Sequence, residues 1–565
     1  MTLGKTMGLF VLGLCLLAAS AISPAVCSAE TADAIYINGN IYTVEAGQPK
    51  ASALATVGQK LVYVGSNEGA KEYVGAKTKI VDLKGKTVLP GLIEGHMHYT
   101  REGAFLLQVN AFWLPKDEIL AKVKAEADRL PPGTWIVGSG WNQEVWPDRQ
   151  FPNKAELDAV APNHPVSLTR TDGHALWVNS KALEMAGIDR STPVPDGGII
   201  EKDANDELTG LLFENAMALV RSKITPLSTE RVKEAILKAQ AELFSYGLTS
   251  ALSAGNLTMN SVEDINIMKS LYQDGQLKIR IYAMINAEHA APYYKSGPDI
   301  GLFNNRLTVR AVKFYADGAL GSRTALMLDD YTDREDWKGV ERTGRDKLLA
   351  GFREASKAGF QLANHAIGDG GVRNTIDLFE QIMKEQNVSA NHRWRIEHFQ
   401  ITTANDLERM AKLKIIPVMQ AVHATSDKNM AENRIGPERI KYAYAWRKVL
   451  NTGMTIVNGS DAPIELVNPY HGLYASVTRM DRDGNPPGGW YPEEKMTREE
   501  ALKSFTIWAA YGQFEENFKG SLKPGKLADF VVIDRDYMTC PDSEIKDISA
   551  LMTVVGGEIV YRSGY

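Results

Sequence analysis

Eight short apolar runs alternate with helical patterns through the middle of this chain, at 87–98, 247–255, 278–288, 307–318, 359–369, 392–400, 414–420 and 453–463. Between the later runs lie helix-patterned stretches such as 345–358, 371–386 and 403–413. Parallel strands need a long crossover, usually a helix, to return to the same end of a sheet. Eight such β/α units close into a parallel barrel, and the C-terminal strand ends carry the chemistry. One gap breaks the rhythm: about 150 residues separate the first run from the second. No crossover needs that length. Residues 101–240 are therefore expected to form an insertion, a lid or subdomain over the strand ends.

Both ends of the chain have a different texture. Short alternating strands are predicted at 35–45, 60–66 and 77–91, and again at 525–536 and 550–564. Two β-segments flanking a barrel suggest that the ends meet in one small sandwich. The predicted fold is thus α/β: a (β/α)8 TIM barrel with a large insertion after strand one, plus a β-sandwich built from both termini. The expected boundaries are a signal peptide over 1–29, sandwich over 30–88, barrel over 89–510 and sandwich again over 511–565.

The first 29 residues carry Lys5, an apolar core from Met7 to about Ala19, and small residues before Glu30. That is the pattern of a secretory signal cleaved after Ala29, and it predicts export, to the periplasm. Of three cysteines only Cys540 lies beyond it. The mature chain then has no intrachain disulfide, and any metal site must use His, Asp, Glu or Lys. A net charge of −6 with no long basic run argues against nucleic-acid or membrane-surface binding.

Metal-capable residues fall in a pattern on the predicted strands. His96 and His98 close run one, two residues apart and so on one face of a strand. Lys313 lies slightly deeper in run four, while His365 closes run five, His398 run six and Asp461 run eight. A lone strand-end histidine is commonly a structural hydrogen-bonder, and Asp461 in "GSDAP" also reads as a helix N-cap. The ordered set of six on one rim points instead to a metal centre.

These residues stand in stretches with a family resemblance: "PGLIEGHMH", "VKFYADGALGSRTA", "NHAIGD", "RIEHFQ", "NGSDAP" and the closing "GSLKPGKLADFVVID". "GSGWNQEVWP" and "RTDGHALWVNS" add two more within the insertion. On them the chain resembles the amidohydrolase superfamily, in its amidohydrolase-3 branch of YtcJ-like proteins and N-substituted formamide deformylases. Glu94 departs from it, standing where the superfamily usually has Asp. The resemblance implies two divalent metals, usually zinc. His96, His98 and Asp461 would hold the more buried ion, and His365 and His398 the more exposed one. Lys313 would bridge them as a carbamate. A protonated lysine has no lone pair to offer a metal, so an unmodified Lys313 implies a single ion.

The implied activity is hydrolysis of a C–N bond of an amide, N-acyl or N-formyl compound by metal-activated water. Asp461 would act as general base. A cyclic-amide hydrolase or a deaminase could use the same site. A non-catalytic regulatory protein on this scaffold is a third reading, and the completeness of the ligand set speaks against it. On the substrate side, the family motif suggests that His174 reaches over the metals to the substrate carbonyl, its alternative role being structural. Trp141 and His423 are candidate substrate contacts. Arg323 could bind a substrate carboxylate, or else make an internal ion pair. The expected partner is a small molecule; a homodimer is possible.

Overall fold

A computed structural model describes residues 31–564, apart from 113, 144–145, 171–174, 196–197, 215, 225, 256–258 and 322. The expected signal peptide and the candidate His174 lie outside the described residues. Among the described residues no helix is long and apolar enough to cross a membrane.

Eight parallel strands form the central sheet: β1 Leu92–Met97, β2 Leu248–Ser253, β3 Arg280–Asn286, β4 Leu307–Tyr315, β5 Gln361–Ala366, β6 Arg395–His398, β7 Ile416–Met419 and β8 Val457–Asn458. All eight fall inside the predicted runs. Nearly all their residues are buried on both faces, as parallel strands covered by helices require. Strands β1 to β8 are hydrogen-bonded in sequence order. The gap between β8 and β1 is bridged at the rim, where Asp461 N–H donates to the His96 carbonyl and His98 N–H to that of Ala462, each at 2.8 Å. Gly95 permits this approach: a Cβ there would meet the Asn458 carbonyl oxygen at 2.3 Å. Barrel closure thus runs through the backbone of the candidate ligands His96, His98 and Asp461.

The amphipathic helices Arg345–Lys357, Asp369–Gln386 and Ala404–Leu413 cover the outside and match the predicted stretches. Phe352, Phe379, Ile382 and Met410 enter the core from them.

The predicted first run, 87–98, is two strands. Thr87–Pro90 belongs to the sandwich, and β1 begins only at Leu92. Gly91 is the joint, and a Cβ there would collide with Thr249 Oγ1 at 2.2 Å. The sandwich has a four-stranded sheet, in the order Lys60–Gly65, Ala53–Val57, Ala34–Ile37 and Lys79–Asp82. Its second sheet orders Glu558–Arg562, Ala550–Val555, Phe530–Ile533, Thr87–Pro90, Asn40–Tyr42 and Lys50–Ala51. N- and C-terminal strands meet where Phe530–Ile533 pairs antiparallel with Thr87–Pro90. Tyr36, Leu54, Val88, Phe530 and Met552 share the core between the sheets. The expected break at 510/511 falls inside the helix Ile507–Gly512, whose Ala509 and Ala510 pack on Ile93 and Val457 of the barrel.

The insertion leaves from the C-terminal end of β1. It holds its own six-stranded sheet, Val109–Asn110 to Leu208–Glu214, and two apolar cores. The expected limits, 101–240, are too wide. Helices Tyr99–Leu106 and Thr229–Ser245 belong to the barrel layer, with Tyr99, Val232, Ile236 and Leu243 in its core. They cross closely at Gly103, where a Cβ would strike the Ala235 carbonyl oxygen at 1.8 Å.

Candidate active site

The six candidate residues converge at the C-terminal rim. His96 and His98 each point Nε2 at Asp461 Oδ1, at 3.5 Å. One donor atom from each of the three lies within 4.8 Å of the other two. The His398 ring sits between those of His96 and His365, with centroids 4.8 and 4.5 Å away. Strand register brings in Lys313, which pairs with Asn286 on β3 and Ala363 on β5. His96 and Lys313 are 0% and 1% exposed, while the His365 side chain is 13% exposed, so the site opens toward His365.

Each imidazole is held by one nitrogen, which leaves the other free. His96 Nδ1 is bonded to Glu397 Oε2. His98 Nδ1 faces the Gly255 carbonyl at 3.3 Å, and His398 Nδ1 faces Gln420 Oε1 at 2.9 Å. His365 uses Nε2 instead, toward the Gly318 carbonyl at 3.0 Å. Since these partners accept, the held nitrogens carry the protons and the free ones keep a lone pair. Burial, reinforced by the Lys313 charge, pushes His98 and His365 down to about 3. His96 and His398 also lie well below the usual range through burial. The imidazoles are therefore neutral, the form that binds a metal.

The other two groups are tuned by the same burial. Asp461 is pushed up to about 7, against the pull of Lys313. Lys313 is pushed down to about 8, although Glu397 and Asp461 favour its charge. His398 and Asp461 hold left-handed backbone, at φ 73° and 63°. Such non-glycine conformations cost on the order of 1–3 kcal/mol each and cluster at working sites.

The donor set fits a divalent cation. His96 Nε2 and Asp461 Oδ1 are buried and have no hydrogen-bond partner. A buried neutral nitrogen and a carboxylate oxygen left bare, with His98 Nε2 facing the same point, are costly unless an ion satisfies them.

The sequence reading passed over Glu397, one residue before His398. It is fully buried, orients His96, and is held in turn by Arg395, which also donates to the Gly95 carbonyl at 3.0 Å. The available signal was alternation: in "RIEH" Arg395 and Glu397 share one face of the strand. Glu397→Gln is expected to weaken metal affinity by about 10–100-fold. It should also cost about 3–5 kcal/mol, because Arg395 loses its charge partner. Metal titration and denaturant unfolding check both.

The substrate-side candidates divide. His423 reaches the site, with Nε2 4.0 Å from Asp461 Oδ2. Its Nδ1 lies 3.1 Å from the Gln400 amide nitrogen, which donates to it, so its proton sits on Nε2. Trp141 does not reach the site. It has no exposed surface, donates to the Leu168 carbonyl at 2.8 Å, and packs against Trp146 and Trp177 in the insertion core. The expected substrate contact is corrected accordingly: a large aromatic ring gains more from packing in that core. Arg323 is bound in two places to Asp333, at 3.0 and 2.9 Å, which is its internal ion-pair alternative.

A family model described as "Amidohydrolase family" matches residues 79–561. The chain belongs to the amidohydrolase family. Among relatives of this amidohydrolase, Protein LONG AFTER FAR-RED 3 of Arabidopsis thaliana is 32% identical over 546 residues, covering 94% of this chain and 92% of that one. N-substituted formamide deformylase of Arthrobacter pascens is 28% identical over 552 residues, covering 94% and 98%. A metal-dependent hydrolase of uncharacterized function from Pyrococcus furiosus has a solved structure with TM-score 0.73 and 28% identity, covering 90% of this chain and 100% of that one. As an amidohydrolase the chain is a metal-dependent hydrolase of carbon–nitrogen bonds, and its site is built for a divalent metal.

Proposed function

We propose that this amidohydrolase hydrolyses the amide bond of a small N-acyl or N-formyl compound, after export to the periplasm. The observation that carries the reading is the convergent donor set of His96, His98 and Asp461, with His96 Nε2 and Asp461 Oδ1 bare, beside four further polar groups on the same rim. The likeness to an N-substituted formamide deformylase supports the substrate type. The N-terminal 29 residues support export.

In this reading His96, His98 and Asp461 would hold a divalent ion, which would supply Lewis acidity and lower the pKa of a water to about 7. His365, His398 and a carboxylated Lys313 would hold a second ion, with zinc the expected metal. Lys313 suits this because burial favours its neutral amine, which adds carbon dioxide and releases a proton to become an anion. Asp461 takes the proton of the attacking water and passes it to the leaving nitrogen. His423 donates from Nε2 toward the oxygen that gains charge, and the family motif around His174 assigns that residue the same role. Water is kept off the deep side by the buried His96, Glu397 and Arg395.

The test is metal analysis with a substrate panel. The purified protein, supplied with zinc and bicarbonate, should hold one to two ions per chain and hydrolyse members of an N-formyl, N-acetyl and cyclic amide panel. Finding no metal would end the hydrolase mechanism. Turnover confined to cyclic amides or amino-purines would replace the substrate class.

A further inference from the structure

The residue nominated for a substrate carboxylate, Arg323, is occupied by Asp333, which also binds Arg434. A different arginine of the same β4 loop stands free. Arg342 N–H donates to the Ala316 carbonyl at 2.9 Å, which ties its backbone to the end of β4. Its guanidinium lies 4.0 Å from the centroid of the Tyr315 ring. Among the described residues it makes no ion pair and no side-chain hydrogen bond.

Tyr315 is part of the active-site wall. Its ring centroid is 5.6 Å from that of His365 and 5.2 Å from Lys313 Nζ. Its hydroxyl is buried and without a hydrogen-bond partner. The Arg342 charge reaches the centre, since it is among the causes that depress Lys313 and His365. Glu288 also acts on Tyr315, yet no ion pair joins it to Arg342 among the described residues. On the opposite flank Arg101 likewise lacks an ion pair among the described residues, and its charge acts on His98 and Asp461. Two guanidinium groups without carboxylate partners among the described residues therefore flank the centre.

We propose that Arg342, stacked on Tyr315, anchors a negatively charged group of the substrate, so that this enzyme selects amides carrying a carboxylate a few bonds from the scissile bond. The inference rests on the amide-hydrolase reading above. A guanidinium stacked on a ring is held flat, with its N–H fork preorganised for two-point binding of a carboxylate. The Tyr315 hydroxyl is a third donor within the same wall.

The experiment compares N-acetyl and N-formyl amino acids with their uncharged C-terminal amides, on the zinc-loaded enzyme. Wild type should favour the acid by at least tenfold in kcat/KM. Arg342→Gln should lower that ratio at least tenfold, mainly through KM, and Arg342→Lys should restore part of it. Calorimetric binding of N-acetylleucine against N-acetylleucinamide reads the same preference without turnover. Thermal melting verifies that the variants are folded. If amides are hydrolysed with no preference for the acid, or the ratio survives Arg342→Gln, the proposal falls and the amide reading stands. If nothing is hydrolysed but the acid binds in an Arg342-dependent way, the amide reading falls and the anion site stands. Absence of both binding and preference overturns the anion site.

Discussion

Asp461→Asn is expected to lower kcat by about 10²–10⁴-fold, the range for loss of a positioned general base. The reason is local. Its Oδ1 is buried, bare and 3.5 Å from both His96 and His98, so no neighbouring carboxylate can replace it at that point. Glu94 is the nearest acid in sequence to the histidine pair, yet its Oε1 accepts from the backbone N–H of His96 and of Ser460, at 3.1 and 2.9 Å. Asn has nearly the same shape, so the rim hydrogen bonds from the 461 and 98 backbone persist and the barrel stays closed. Metal content measured beside kcat separates the two roles of Asp461. Lost turnover with metal retained identifies the base. Lost metal with lost turnover identifies a ligand. Retained turnover removes Asp461 from the mechanism.

Lys313→Met is expected to reduce turnover at least about 100-fold and to lower the number of bound ions per chain. It should not lower Tm. Lys313 is 1% exposed, and burial already disfavours its charge, so an apolar side chain of similar length removes a desolvation cost. A folded, inactive, metal-poor variant is thus the predicted phenotype. Added bicarbonate should raise metal content and rate in wild type and leave the variant as it is. A variant that keeps wild-type metal and rate would show that Lys313 is a structural residue.

The placement of the ligand residues was legible because it depends on short-range patterns. A strand shows its period of two in a few residues, and His96, His98, His365 and His398 each end such a run. The split of residues 87–98 was not legible, because a single residue, Gly91, separates Thr87–Pro90 from Leu92–Met97. Only their partners, Phe530–Ile533 for one and Leu248–Ser253 for the other, assign them to different sheets. Trp141 and Arg323 misled for a related reason. Residue type says what a side chain can do, whereas packing on Trp177 and pairing with Asp333 decide what remains free to do it.

The sequence by itself determined the number and order of the barrel strands, the joining of the two termini in a sandwich, and the family of chemistry. The first two follow from periodicity, and the last from the motifs in which the chain resembles the amidohydrolases. Only the tertiary structure decided which nitrogens face the centre, that Glu397 and Arg395 lock His96, and that Arg323 is paired with Asp333 whereas Arg342 makes no ion pair among the described residues. Those depend on contacts between residues up to about 300 positions apart, such as His96 with Glu397. Distances of that kind are set when the barrel closes, and no local pattern carries them.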